Sequence, residues 1–308
     1  MPSLDTLLPF IIQGLAFGAM YAATGTGLVV LYRTTGVVNL AFGAVGAMGA
    51  HIAWTLMGGS LATPAPIASG LRILSYPALV LFCGLLTLAY GWWIAPKLSK
   101  RDALAKSLGL VAMALFLMGI MKERWDTSKP RELPFPNQTF ELGGTIVSTT
   151  QVIALVFALA IVVLVTLYLQ KTATGTAMRA IANNRDVAAL LGVPVRRVEA
   201  IAWFGSGLLC GCVFLLLPSF VKSLDQGTLT WFVIPALAGA IVGQFRSLWV
   251  TFFASLVVGV FESGLTPFNG NLQILSDMRR IVPVVISVVA ILWISRRRTV
   301  VLSGREMR

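Results

Sequence analysis

Charged side chains are scarce in this sequence: 12% of its 308 residues, with only 12 Asp and Glu against 24 Lys and Arg. A water-soluble chain of this length could bury a large core, but it would still need a polar exterior, and so little charge cannot coat one. Histidine occurs once, at His51, with no second His or Cys at ligand spacing, which argues against a metal site. The three cysteines, Cys83, Cys210 and Cys212, all fall in apolar runs and read as small buried hydrophobes. Cys210 and Cys212 would point about 200° apart on a helix, so they chelate nothing together, and no disulfide framework is implied. There is no G-x-x-x-x-G-K-S/T phosphate loop, so ATP is not expected to bind here. There is no H-E-x-x-H, G-x-S-x-G or Cys/His cluster either, which removes support for an intramembrane enzyme. Nor do paired interrupted spans forming an inverted repeat stand out, which weakens a free-standing secondary transporter.

What the sequence does have is hydrocarbon: 57% hydrophobic residues and a mean hydropathy of +0.84, placing it in a bilayer. Apolar stretches suited to crossing lie near 7–31, 36–57, 77–95, 103–121, 151–169, 200–217, 231–244, 247–265 and 281–295. The expected fold is therefore all-α, a polytopic transmembrane helical bundle of about nine spans, with eight to ten compatible with the pattern around 231–265. It forms one domain over residues 1–308, interrupted by a polar loop at about 170–199. The opening MPSLD carries no Lys or Arg, so the first span is expected to stay rather than be cleaved as a signal. Lys97, Lys100 and Arg101, then Arg179, Arg185, Arg196 and Arg197, then Arg296, Arg297, Arg298, Arg305 and Arg308 cluster in short segments beside spans. Retention of such clusters on the inner side predicts a cytoplasmic loop and C-terminus and an external N-terminus. The net charge of +12 is thus a topology signal; no aromatic-interleaved basic face suggests nucleic acid.

The loop GTAMRAIANNRDVAALLGVPVRRVEA, from Gly175 to Ala200, carries its own start and stop signals. Gly175 and Thr176 open a short helix through Asn183. Asn184 caps a second, whose apolar face carries Val187, Leu190 and Leu191, and Gly192 ends it in the left-handed conformation. Pro194 then starts the helix that re-enters the membrane. Arg179 and Arg185 would suit a helix resting on anionic lipid headgroups. The alanine-rich face, without Trp or Phe, suits close docking against protein instead.

These residues carry a resemblance. The pattern G-x-A-M-R-A-I-A-x-N-x-x-x-A-x-L-L-G-V followed by a basic pair and a span is similar to the cytoplasmic loop of permease subunits in bacterial ABC importers for branched-chain amino acids. GLAFGAMYAATGTGLVVLYRTTGVVNLAFGAVGAMGA resembles the first two spans of the same family, of the LivH type, and ALAGAIVGQFRSLW extends the likeness toward the C-terminus. The resemblance implies a permease in the bacterial cytoplasmic membrane that binds no cofactor itself. ATP and Mg would be held by two cytoplasmic ATPase subunits, beside a second permease subunit and an extracytoplasmic substrate-binding protein. It implies that Arg179, Asn183, Asn184, Arg185, Asp186, Leu190, Leu191 and Gly192 form the element coupled to the ATPases. Substrates would be branched-chain or other hydrophobic amino acids; related permeases for urea or short amides look similar, and a stand-alone ion-coupled carrier is the rival of another class. The chain departs from the family at Phe42, where members often carry His or Gln, and at Gly243-Gln244 and Arg246, where members often carry a Gly pair and a further Gly. The first removes a polar role at 42, and the second implies a different turn near Gly243.

Asn39 sits early in an apolar span among Gly36, Gly43, Gly46 and Gly49. A buried amide without partners costs on the order of 1–3 kcal/mol, so Asn39 is expected to bond freed backbone at a helix break or water in a pathway, with Gly43 and Gly46 marking a groove for close helix approach. Glu262 reads as a helix-end residue, because Gly264 and Pro267 follow, rather than as a proton-relay acid. His51 reads as a helix-end residue near the outer interface. Trp54, Trp92, Trp93, Trp125, Trp231 and Trp293 read as interfacial anchors. Gly14/Gly18, Gly207/Gly211 and Gly239/Gly243 have small-xxx-small spacing, giving packing faces of which one is a candidate contact with the second permease.

Overall fold

Hydrocarbon offers backbone N–H and C=O groups no partner outside the chain, so a spanning segment must satisfy them within itself. The computed structural model obeys this constraint over the residues it describes: 4–57, 69–98, 101–125, 138–142, 145–221, 223–265 and 282–292. Five helices are long and apolar enough to cross: α1 (Leu4–Thr35), α3 (Ser69–Ala89) with its continuation, α5 (Ala103–Arg124), α6 (Thr149–Lys171) and α9 (Val195–Val221). The α3 continuation is a π-helical turn, Tyr90–Ile94, followed by α4, Ala95–Leu98. Four shorter apolar segments complete the set among the described residues: α2 (Phe42–Leu56), α10 (Gln226–Trp231) with α11 (Val233–Val242), α12 (Leu248–Gly264) and α13 (Val282–Leu292). Each of these segments falls on one of the apolar stretches read from the sequence. Between α6 and α9 lie α7 (Ala173–Asn183) and α8 (Arg185–Leu190), which define the loop end of the bundle.

α1 is the hub. It packs against α12, α9, α6 and α11, and from Ala19 to Leu31 it is buried without interruption. Its contact with α12 is backbone to backbone: a Cβ on Gly14 would lie 2.6 Å from the Val260 Cα, and one on Gly18 2.6 Å from the Leu256 Cα. Gly207 and Gly211 of α9 are filled in the same way by α3 at Cys83 and Val80, and Gly239 and Gly243 by Ser255 and Thr251 of α12. All three small-residue pairs are therefore occupied within this chain, and none is left for a second permease.

Several expectations change in detail. The stretch 36–57 is helical only from Phe42, and residues 36–41 are non-helical, so Asn39 precedes α2 rather than lying in it. Gly36 takes a φ of +71° as α1 ends, with its N–H donating to the Tyr32 carbonyl at 2.8 Å. The chain is non-helical at 36–41, whereas Phe232 between α10 and α11 keeps helical dihedrals (φ −58°, ψ −20°). Gly43 and Gly46 are closely packed, against the Thr230 carbonyl and the Phe214 ring, so neither faces open space. His51 is fully buried rather than interfacial: its Nδ1 donates to the Ala47 carbonyl at 2.8 Å and its ring lies 5.4 Å from that of Trp125. The bundle is all-α as expected. Its accessory is an antiparallel hairpin, β1 (Thr139–Leu142) with β2 (Thr145–Ser148), in register Thr139↔Ser148 through Leu142↔Thr145. Trp293 and the arginines from Arg296 onward lie outside the described residues.

The turn after α11 differs from what a glycine pair would give. Gln244 and Phe245 take φ of 52° and 51°, the left-handed region that L side chains rarely adopt. The strain, about 1–3 kcal/mol for each such residue, is held by Phe245 donating its N–H to the Ala240 carbonyl at 2.9 Å and stacking on Tyr32 at 4.5 Å.

Two stability predictions follow from this packing. Gly18→Leu and Gly259→Leu should each destabilise the purified chain by at least the roughly 1–3 kcal/mol of an overpacked core, seen as a lowered thermal midpoint in detergent. Gly119→Leu, with nothing within 4 Å of its Cβ position, should leave the midpoint unchanged. Gln244→Gly should raise the midpoint, by relief of about 1 kcal/mol; an unchanged or lower midpoint would show that the turn is not strained.

Candidate functional site

The loop end is built from short helices with complete local caps. α7 begins at Ala173, two residues before the expected Gly175, because Thr172 is the cap: its Oγ1 accepts the Gly175 N–H at 3.0 Å. Asn184 caps α8 as its sequence position implied, with Oδ1 accepting the Asp186 and Val187 N–H groups, each at 3.1 Å. Gly192 takes a φ of +84°, its N–H bonds the Ala189 carbonyl at 3.0 Å and the Val193 N–H reaches the Ala188 carbonyl at 3.0 Å. α9 then starts after Pro194, whose carbonyl accepts from Val198 at 3.1 Å.

α7 turns Gly175, Met178 and Ile181 inward, against α6, α1 and α9. α8 buries Ala188 and presents everything else: Leu190 is 87% exposed, Leu191 at its C-terminal cap 79% and Val187 49%. The sequence-derived residues Arg179, Asn183, Asn184, Arg185, Asp186, Leu190, Leu191 and Gly192 are all exposed and all belong to this one projection. Sequence reasoning missed its fastening. Arg185 donates to both Glu199 carboxylate oxygens, from Nε at 2.8 Å and from Nη2 at 3.3 Å, tying α8 to the first turns of α9. The Glu199 hydrogen bond, more than its charge, raises the Arg185 pKa, so the guanidinium stays cationic. At this exposure the pair is worth about 0–1 kcal/mol and serves orientation more than stability.

The same ion pair walls a cleft of about 110 Å³ at the loop end. Thr35 and Val37, from the end of α1 and the break after it, line one side; Tyr90, Lys106 and Trp203 line the others. The π-helical turn shapes this wall: Gly91 lies against the Trp203 ring and the Tyr90 ring packs on it at a tilt, centroids 5.1 Å apart, while Arg196 sits 4.7 Å over the Trp92 ring.

Asn39 lies deeper. It is 1% exposed, and among the described residues neither its Oδ1 nor its Nδ2 has a hydrogen-bond partner. The end of the break in which it sits is held by two bonds: the Phe42 N–H donates to the Asn39 carbonyl at 3.3 Å, and the Cys210 thiol donates to the Phe42 carbonyl at 3.0 Å. Phe42 is fully buried against Gly27, consistent with no polar role there. Toward the far end, the Tyr21 hydroxyl donates to Glu262 Oε2 at 2.7 Å, two residues before α12 ends, which suits a helix-end acid held in place. No group of His, Cys, Asp and Glu able to hold a metal occurs among the described residues.

Comparison with known proteins gives these features a family. The sequence profile described as branched-chain amino acid transport system / permease component matches residues 10–294. A protein of Methanocaldococcus jannaschii named as the branched-chain amino acid transport permease LivH is 29% identical over 252 residues, covering 78% of this chain and 75% of the relative. BraD of Pseudomonas aeruginosa, a high-affinity branched-chain amino acid transport permease, is 24% identical over 274 residues, covering 85% and 87%. LivH of Escherichia coli K12 is 23% identical over 268 residues, covering 82% and 83%. No solved structure matches. The match spans the bundle, the loop and the break at 36–41, so this multi-pass membrane chain belongs to the permease-component family of branched-chain amino acid transport systems.

Proposed function

We propose that this chain is a membrane-spanning permease subunit of an ATP-driven importer that brings branched-chain or other hydrophobic amino acids across the cytoplasmic membrane of a bacterium. The loop end is cytoplasmic, and two ATPase subunits dock there. A second permease chain completes the pathway, and a soluble binding protein delivers substrate at the far end. The observation that carries this reading is α8, which presents Val187, Leu190 and Leu191 to solvent at one end of an apolar bundle. Exposed leucines outside the bilayer are costly unless covered, and a six-residue helix capped at both ends is a rigid knob suited to a groove on another protein. ATP hydrolysis and its Mg belong to the partners. This chain contributes a bundle whose inward- and outward-open forms are biased by how the knob is held.

The test is purification of the tagged chain from its native membrane in mild detergent, with mass spectrometry of what accompanies it. Two ATPases and a sister permease are expected, and a chain recovered alone would overturn the reading. Leu190→Asp with Leu191→Asp should abolish both ATPase association and uptake of L-leucine while leaving membrane insertion intact. Gly192→Val meets no neighbour but forces a β-branched residue to a φ of +84°, at about 1–3 kcal/mol. It should lower uptake by mispositioning α8, with Gly192→Asn retaining more activity than Gly192→Val; equal uptake by all three forms would remove the requirement for a fixed knob.

A further inference from the structure

Cys210 lies near the middle of α9, whose 27 residues span about 40 Å. Its thiol reaches the Phe42 carbonyl, and Ser206, one turn nearer the loop end, donates to the Gly27 carbonyl at 3.2 Å. The first contact sets the start of α2 beside the middle of α9, in the interior of the bundle, and the second joins α9 to α1. The chain therefore reaches the loop end along α1, turns at Gly36, and climbs back as non-helical backbone before α2 starts. Irregular backbone at this depth persists only where protein buries it or where it borders water. Against the start of α2 lies α10, with the Thr230 carbonyl pressed against Gly43. Unpartnered polar side chains on these elements are both ends of the Asn39 amide, the Thr230 hydroxyl on α10 and the Thr24 hydroxyl on α1, each residue no more than 2% exposed. The Ser255 and Ser263 hydroxyls on α12 are likewise unpartnered, but among the described residues only Asn39 leaves two atoms over.

The start of the break borders a cleft at the loop end. Val37, two residues before Asn39, lines the cleft between Tyr90, Trp203 and the Arg185–Glu199 pair, which has room for several waters.

We infer that the α1–α2 break is the inner station of the translocation path, and that the Asn39 side chain is its contact with the polar head of the substrate, an amino-acid zwitterion. This rests on the transport reading above. An amide is suited to that head group because it offers an acceptor to the ammonium and donors to the carboxylate. It is also uncharged. A buried Asp or Arg would hold the zwitterion as an ion pair and slow its release, whereas passage needs contacts strong enough to admit the substrate and weak enough to let it leave. The substrate exits past Val37 into the cleft, whose wall moves with α8 because Arg185 belongs to both.

The experiment uses the whole complex, permeases, ATPases and binding protein, in liposomes with radiolabelled L-leucine. Asn39→Leu removes the amide at nearly constant volume and should cut leucine moved per ATP hydrolysed by about tenfold. ATPase stimulation by the loaded binding protein should persist, which a folding defect would not allow, and Asn39→Gln should restore part of the ratio. Separately, Asn39→Cys should react with a small charged thiosulfonate applied from the loop end, above the background of the three native cysteines. An unchanged leucine-to-ATP ratio in Asn39→Leu overturns the contact, and an unreactive Asn39→Cys overturns the path. Failure of the wild-type complex to take up leucine would sink the transport reading instead. Labelling needs no substrate and still decides whether water reaches the break.

Discussion

Everything in this chain follows from the need of a peptide backbone in hydrocarbon to supply its own hydrogen-bond partners. Helices meet that need cheaply, so they dominate, and departures from them require explicit repair. The turn at Gly243–Ser247 is repaired by a ladder of N–H to carbonyl bonds from Gly243 to Ser247, bought with two left-handed residues. At 36–41 the backbone is repaired with bonds to Tyr32, Thr35 and Asn39, but the Asn39 side chain is left over. Among the described residues Asn39 is the one buried side chain with two unpartnered polar atoms, which marks a place where something other than this chain can complete the bonding.

A second constraint shapes the packing. Lipid tails are as apolar as leucine, so burial in a bilayer supplies little drive for helix association, and close van der Waals approach must replace it. That explains why the tightest contacts run along Gly14, Gly18 and Gly259, where two backbones meet with no side chain between them. Several hydroxyls on these helices fold back onto carbonyls one turn earlier, Thr26 onto Ala22 and Thr34 onto Val30. The large apolar side chains that remain outside, such as Phe116 and Leu164, lie on helices long enough to span, where lipid meets them without penalty.

The sequence was most legible where chemistry is local. The Asn184 cap, the left-handed Gly192 and the restart after Pro194 each depend on a few neighbouring residues and were readable one by one. The apolar segments were readable because a window averages over about 19 positions; for the same reason the window joined the non-helical 36–41 to α2, since Val37, Val38 and Leu40 are as apolar as any helix. The burial of His51 was hidden because a histidine bonding the carbonyl four residues back needs no partner visible in sequence. The occupancy of Gly207 and Gly211 by α3 depends on which helix comes alongside, and spacing is silent on that. The Arg185–Glu199 pair had a faint signal, an acid following two arginines at the start of α9, but only the fold brings it beneath α8.

That pair also relates the loop to the break in a way neither element alone suggests. α8 has few contacts with the bundle beyond Ala188 and Glu199, so it is easily shifted by whatever grips its leucines. Glu199 lies on α9, one turn from Trp203, which packs on Tyr90 and Gly91 at the π-helical turn, and Val37 shares the cleft that these residues line. α8, through Arg185, and the start of the break, through Val37, therefore border the same cleft. The π-helical turn suits this position, because a wide turn is a low-cost place for a helix to change its path. Coupling then needs no long wire through the bundle: the part that a partner would hold and the part that would release substrate are two walls of one small cleft.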